Sequence, residues 1–349
     1  MSEDRNLFAQ QEANRIRSRW LVILFVLFFA WLGFGGDWIF HEATRDAAAG
    51  YYRHTLPWLG VALTALAIGL AWHAWRTGPE RVLWATGARE ITDPRTPEER
   101  QLVNVVEEMA IAASLPRPRV YIVPDADPNA FATGRDDHSA HIAVTQGLLA
   151  LCSRDELQAV VAHETAHIRN LDVRLMTLLA GLVGAVALVG EGMGRVIRGT
   201  RGIRLPVPRK GRGGNPLLAI ALVLWLVSWM LAPLITRLLA LAVSRKREYL
   251  ADAAGAQFTR NPMALAAALE KIERAHAPTA AIKGGSAHLC IADPLGRRVT
   301  AREGWLADVL ATHPPMTMRI ARLRGMAFQD AKRAGTYEAM RAAPQRTIA

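Results

Sequence analysis

Two long uncharged apolar runs near the N-terminus constrain the fold of this chain most. Residues 20–36 approach the minimum length of a bilayer-crossing helix, and residues 56–75 have ample length to return. The first run is rich in Trp, Phe and Leu and lacks a small-residue cleavage site, which favours a signal anchor over a cleaved signal peptide. With 51% hydrophobic residues overall, the composition predicts a membrane-anchored soluble domain.

Basic residues flank this apolar pair on both outer sides, whereas the intervening residues 37–55 are not enriched in them. The flanking arginines are Arg15, Arg17, Arg19, Arg76, Arg81 and Arg89. By the positive-inside rule both flanks are cytoplasmic, so we expect the domain that follows to face the cytoplasm. The net charge of +11 lies largely beside apolar segments, which favours lipid as the partner, and no nucleic-acid partner is expected.

The stretch 153–172, SRDELQAVVAHETAHIRNLD, carries the clearest chemical pattern. Ser153 and Glu156 form a capping-box pattern that predicts a helix start. His163 and His167 are then one turn apart on the same helical face and can share one metal ion. Glu164 lies beside that ion, where it can take a proton from a bound water, as a metallopeptidase base does.

A second segment, SRKREYLADAAG at 244–255, offers the third ligand that such a metal requires. Glu248 is the candidate ligand, because a carboxylate from another helix often completes a two-histidine site. Asp252 follows one turn later and can accept the second N–H of a ligand histidine. Alternatively, both acids are solvated helix charges that offset the basic residues 245–247.

These segments, together with RTPEERQLVNVVEEMAIAASLPRPRVYIV, NAFATG and THPPMTMRI, resemble the HtpX family of membrane zinc metallopeptidases, relatives of the CAAX prenyl endopeptidases. The resemblance extends from about Ala88 to Gly325. It implies one Zn²⁺ per chain held by His163, His167 and Glu248, with Glu164 as catalytic base. It also implies a multi-pass protein of the bacterial inner membrane that degrades misfolded or damaged membrane proteins.

Two other functions are compatible with these motifs. The first is CAAX-type cleavage of prenylated peptides, which we rank second because two or four spans do not obviously form a large intramembrane chamber. The other is a non-catalytic membrane scaffold or chaperone that retains a structural metal, although the intact Glu164 argues against it.

Three strands are predicted before the histidine helix, at 119–123, 130–133 and 141–145. An exposed strand edge can bind an extended peptide substrate through its main chain. The resemblance assigns that edge to the NAFATG segment, so the candidate substrate-binding residues are Asn129, Ala130, Phe131 and Ala132. The alternative is that Asn129 makes a turn and Phe131 packs in the core.

Residues 175–190 and 216–236 indicate a second apolar hairpin inserted between the two metal-binding segments. Its connecting loop, 195–212, is strongly basic. If the hairpin spans the bilayer, this loop violates the positive-inside rule; if the hairpin lies in the interface, the loop can bind anionic lipid head groups. Both readings remain open at the level of sequence.

His313 and Arg319 form a further candidate catalytic pair. The resemblance places their region beside the active site, where a donor can stabilise the negative charge that develops on the scissile carbonyl oxygen. The alternative is a capping imidazole and a surface ion-paired arginine. Cys152 and Cys290 form no CxxC pattern, and two thiols without a mutual disulfide are the favoured state.

The predicted fold is therefore α+β and mainly helical: a zincin-like metallopeptidase domain with a short β-sheet, plus transmembrane helices. Five segments are expected. They are an N-terminal helix pair (1–80), the first part of the peptidase domain (81–172), the inserted hairpin (173–243), the second part of the peptidase domain (244–330) and a polar tail (331–349).

Overall fold

The computed structural model describes residues 2–44, 56–199, 218–228, 245–275, 289–291 and 314–333. The chain divides into two compact units. The first comprises Met1–Asn14, Pro79–Thr177 and Val243–Ala349, and the second comprises Arg15–Gly78 and Leu178–Ala242. Residues 1–14 therefore cluster with the peptidase segments rather than with the apolar helices.

The described helices and strands follow one another in this order: α1 Ser2–Thr44, α2 Trp58–Ala85, β1 Arg89–Glu90, α3 Pro97–Ala112, β2 Arg119–Val123, β3 Ala130–Thr133, β4 His141–Thr145, α4 Gln146–Leu151, α5 Arg154–Arg169, α6 Asp172–Gly199, α7 Leu218–Ser228, α8 Arg245–Thr259, α9 Pro262–Arg274 and α10 Met316–Arg333. The predicted α+β, mainly helical class is confirmed, and the three predicted strands have the predicted bounds.

In the first unit, the four strands form one small sheet in the order β1-β2-β4-β3. β2 and β4 are parallel, and the two outer pairs are antiparallel. β3 is consequently an edge strand of this sheet. The two-residue β1 was not predicted, because so short a segment carries no periodicity.

Helix α5 lies at the centre of the first unit and packs against α3, α8, α9 and β3. Its apolar residues, including Leu157, Val160 and Ile168, are fully buried in a core shared with the sheet and with α9. The polar side chains that this helix also buries need partners, because an unpaired polar group in such a core is costly.

Local capping signals set the helix starts. The capping box of α5 is complete, with Ser153 and Glu156 bonded reciprocally. In α3, Thr96 accepts from the Glu99 N–H, and the Glu99 carboxylate accepts from the Arg95 N–H and pairs with Arg89 of β1.

The second unit is built from apolar helices packed through small residues. A Cβ on Gly33 would lie 2.7 Å from the Gly60 Cα, so only glycine allows α1 and α2 to approach so closely. The buried Asp37 accepts from the Gly60 N–H at 2.6 Å and satisfies a donor in the first turn of α2. On α7, Trp225 Nε1 donates to the Leu32 carbonyl at 2.8 Å.

Within the described residues, two helices are long and apolar enough to cross a membrane, Ala9–Glu42 and Trp58–Ala85. They correspond to the two runs predicted near the N-terminus. Helix α6 covers the predicted run 175–190, and α7 covers part of 216–236. The basic loop from residue 200 to 212, His313 and the tail beyond 333 lie outside the described residues.

Candidate metal centre

His163 and His167 project from one face of α5 toward a common point. Their Nε2 atoms are 3.2 Å apart, and the ring planes are nearly perpendicular. His163 is 1% exposed, so bulk water has almost no access to its ring. The i, i+4 spacing thus places the two imidazoles together as the sequence predicted.

Helix α8 brings Glu248 to the same point. The carboxylate lies 3.5 Å from His167 Nε2 through Oε1 and 3.7 Å from His163 Nε2 through Oε2. Gly255 on α8 allows this approach, because a Cβ there would lie 3.0 Å from the His163 backbone nitrogen. Among the described side chains, His163, His167 and Glu248 form a cluster of potential metal ligands whose atoms all lie within 4.8 Å of one another.

The three side chains can supply ligands to one tetrahedral metal ion. Ligand atoms at the usual zinc distance of about 2.0–2.1 Å are separated by about 3.3–3.4 Å along each edge of a tetrahedron. The two imidazole nitrogens are 3.2 Å apart, and the two carboxylate contacts, at 3.5 and 3.7 Å, are made by different oxygens of Glu248. Two imidazole nitrogens and a carboxylate are also the donor set of catalytic zinc sites, which keep one position open.

Each histidine is oriented by a carboxylate on its other nitrogen. His163 Nδ1 lies 2.9 Å from Asp252 Oδ1, and His167 Nδ1 lies 3.0 Å from Asp172 Oδ2. A proton held on Nδ1 by these contacts leaves the Nε2 lone pair directed at the common point. The Asp252 contact is the one expected from its spacing to Glu248, whereas Asp172 had been assigned no role, although it ends the HETAHIRNLD motif five residues after His167.

Arg319 is entirely buried beneath this centre rather than on the surface. Its Nε and Nη2 donate to the two oxygens of Asp252 at 2.9 and 2.7 Å, and Nη1 donates to the Ile291 carbonyl at 3.0 Å. Nη1 also lies 3.7 Å from Glu248 Oε2. The bidentate geometry holds the Asp252 carboxylate in one orientation against His163.

The electrostatics of these side chains follow from burial and pairing. Burial acts to raise the pKa of Asp252, but the Arg319 charge together with the hydrogen bonds from His163 and Arg319 lowers that pKa to about 2. Burial also acts to lower the pKa of His167, but the Asp172 and Glu248 carboxylates raise it to about 9. His163 differs, because burial dominates and lowers its pKa.

Glu164 is buried next to the two histidines. Burial and the nearby Glu248 raise its pKa to about 7, although His167 and a hydrogen bond from the Ala132 backbone N–H act in the opposite direction. The Ala132 contact shows that the outer edge of β3 faces the centre. A carboxyl group with such a pKa can both accept and release a proton near neutral pH.

A small pocket opens at the centre between α5, α8 and β3. Ala132, Glu164, Leu289 and Cys290 line it together with the three clustered side chains. Residues 290 and 291 pair with β3: Phe131 and Cys290 form an antiparallel bridge, and the Ile291 N–H donates to the Ala130 carbonyl at 3.0 Å. No disulfide joins Cys290 to Cys152.

Of the four residues predicted to bind substrate, only Ala132 lines the pocket. Asn129, Ala130 and Phe131 are at most 1% exposed, and the outward carbonyl of Ala130 is already bonded to Ile291. Sequence reasoning missed this pairing, because residues 289–291 lie far along the chain in a segment without strand periodicity.

The sequence profile described as Peptidase family M48 matches residues 96–327. The chain is 37% identical to the Protease HtpX homolog of Streptococcus gordonii, over 92% of this chain and 100% of that protein. It is 36% identical to the Protease HtpX homolog of Thermoanaerobacter pseudethanolicus, over 92% of this chain and 99% of that protein. Among solved structures, S. mikatae Ste24p aligns with a TM-score of 0.43 at 17% identity, over 87% of this chain and 66% of that chain.

The family match contains the whole histidine helix and Glu248, and the similarity to the HtpX homologues covers 92% of the chain. The resemblance inferred from the sequence motifs is therefore confirmed. The chain belongs to peptidase family M48 and is a membrane metalloprotease related to the HtpX proteases.

Proposed function

We propose that this protein is a zinc-dependent endopeptidase in which His163, His167 and Glu248 hold one Zn²⁺. The observation that carries the proposal is the convergence of two imidazoles and one carboxylate: one ligand atom from each of the three side chains lies within 4.8 Å of the other two, and two histidines with a carboxylate are a donor set of catalytic zinc sites. When bound, zinc supplies Lewis acidity toward both a water molecule and the scissile carbonyl.

Glu164 is the general base of this mechanism. Its carboxylate lies in the pocket beside the three proposed ligands, accepts the proton of the attacking water and delivers it to the leaving amine. Its burial disfavours the charged form and so favours return of the proton.

The substrate main chain lies along β3 at Ala132. Support comes from the place of Ala132 in the pocket wall, on the edge strand of the sheet. Residues 289–291 occupy the neighbouring stretch of the strand edge and limit the groove on that side. Main-chain pairing of this kind places few demands on substrate side chains.

Arg319 acts by positioning Asp252 and, through it, His163. The contacts support this role, because the guanidinium donates twice to Asp252 and once to the Ile291 carbonyl. His313, outside the described residues, remains the proposed oxyanion donor.

In the cell, we place the protein in a bacterial inner membrane as a multi-pass protein with its catalytic unit facing the cytoplasm. The arginine-flanked helices α1 and α2 support this orientation. Misfolded or damaged membrane proteins are the proposed substrates, and the basic segment 195–212 is proposed to contact anionic head groups. A reporter fused near Arg95 will behave as cytoplasmic, and activity of that fusion outside the cytoplasm would reverse the orientation.

Glu164→Gln tests the mechanism. The variant should bind one zinc per chain as the wild type does and should lose casein cleavage by at least about 100-fold, since general-base catalysis contributes at least that much. Wild-type cleavage by this variant would refute the assigned base. Cleavage of a prenylated peptide but not of casein by the wild type would favour CAAX-type processing instead.

A further inference from the structure

A residue of the N-terminal helix contacts Asp172, the carboxylate that orients His167. Asn14 is 3% exposed, and its Nδ2 donates to Asp172 Oδ1 at 2.8 Å and to the Asn170 carbonyl at 3.0 Å. One turn earlier, Gln11 Nε2 donates to the Arg169 carbonyl at 2.7 Å. Residues 1–14 belong to the same compact unit as the peptidase segments, although the family match begins only at residue 96.

Asn14 hydrogen-bonds to the turn between α5 and α6, which has an unfavourable backbone conformation. Between α5 and α6, Leu171 adopts a φ of +57°, in the left-handed region that a leucine rarely occupies. This turn reverses the chain so that Asp172, the first residue of α6, faces back toward His167. By bonding to residues 170 and 172 on both sides of Leu171, the Asn14 amide holds the turn in that conformation.

The two oxygens of Asp172 have separate partners. Oδ2 faces His167 Nδ1 at 3.0 Å, while Oδ1 faces Asn14 Nδ2 at 2.8 Å and Arg247 Nη1 at 3.5 Å. Asn14 thus makes the shorter of the two described contacts that fix Oδ1. A carboxylate held at one oxygen can direct its other oxygen at the histidine without rotating away.

We propose that Asn14 is a positioning residue for the metal centre, acting on His167 through Asp172. This inference rests on the proposed function, in which His167 is a zinc ligand. It gives one residue of the segment that precedes the first apolar run a positioning role at the metal centre. Carboxylates that bond directly to a ligand histidine typically contribute 10–100-fold to metal affinity or activity, and Asn14 acts one contact further out, so we expect the low end of that range.

The test compares the zinc affinity of full-length variants, measured by competition with a chromophoric chelator. Asn14→Ala should weaken zinc binding about 10-fold. Asn14→Asp keeps the side-chain volume but turns a carboxylate toward Asp172, so it should weaken binding further. Gln11→Ala, which removes a similar hydrogen bond to α5 that does not touch Asp172, should stay within about twofold of the wild type.

A merely structural role predicts a different pattern. In that case Asn14→Ala and Gln11→Ala would both lower the thermal unfolding midpoint of the zinc-free protein and leave the zinc dissociation constant unchanged, which would overturn the inference. If Asn14→Ala does not fold, the isosteric Asn14→Asp carries the same comparison.

A double-mutant cycle tests the route through Asp172. In an Asp172→Asn background, adding Asn14→Ala should change zinc affinity by less than about twofold. An undiminished 10-fold effect in that background would overturn the proposed route. Absence of zinc binding by the wild type would overturn the proposed function itself, whereas wild-type zinc binding with unaltered Asn14 variants would overturn this inference alone.

Discussion

Replacing Arg319 with methionine is the most informative single perturbation of the buried charge network. The wild-type guanidinium is 0% exposed and donates twice to Asp252 and once to the Ile291 carbonyl. Methionine preserves much of the volume and all of the apolar character of the stem. The substitution therefore isolates the loss of the charge and its three hydrogen bonds, leaving the Asp252 carboxylate buried beside Glu248.

The expected cost is large because one partner of a buried ion pair is removed. Such changes destabilise proteins by about 3–5 kcal/mol, since the remaining charge keeps its desolvation penalty. Arg319→Lys retains the charge but not the planar fork, so an intermediate loss is expected. Arg324→Ala, on the same helix, is the matched control: its pair with Glu270 leaves the arginine side chain 57% exposed, and such surface pairs contribute about 0–1 kcal/mol.

The assay measures the thermal unfolding midpoint of the zinc-free protein and the zinc dissociation constant of each variant. We expect Arg319→Met to lower both stability and zinc affinity and Arg324→Ala to change neither appreciably. Equal midpoints for the two variants would refute the buried-network reasoning. Unchanged zinc affinity with a selective loss of kcat would instead support Arg319 as an oxyanion donor.

Two further predictions follow from the same geometry. The first concerns His167, whose pKa in the metal-free protein is about 9, so zinc must displace its proton at lower pH. Zinc affinity should therefore rise about tenfold per pH unit from pH 7 and flatten above pH 9. A flat profile in chelator titrations between pH 7 and 8.5 would contradict this. The second concerns Gly255→Ala, which places a Cβ 3.0 Å from the His163 backbone nitrogen. It should lower the unfolding free energy by about 1–3 kcal/mol through overpacking and weaken zinc binding, whereas Gly325→Ala, with open space around it, should do neither. Equal stabilities and affinities of the two variants would count against close α5–α8 packing.

The parts of the fold that the sequence predicted are those encoded locally. The Ser153 capping box and the bounds of the three longer strands each depend on a few neighbouring residues, and both are confirmed. The i, i+4 relation of His163 and His167 is local in the same sense.

The unpredicted features depend on contacts between distant segments. Asp172 follows His167 closely, but its orientation depends on the left-handed Leu171 and on Asn14 from another helix. The pairing of Ile291 with β3 and the burial of Arg319 likewise depend on tertiary packing. For Arg319 the sequence left two alternatives, an active-site donor and a surface arginine, because nothing local reveals a buried carboxylate partner.

The central claim is that three side chains from two helices close around a single zinc ion, and metal analysis of purified full-length protein tests it most directly. We expect one zinc per chain in the wild type and in Glu164→Gln, and less than about a tenth of that in Glu248→Ala under the same chelator competition. Stoichiometric zinc retained by Glu248→Ala, with the wild-type dissociation constant, would contradict the claim.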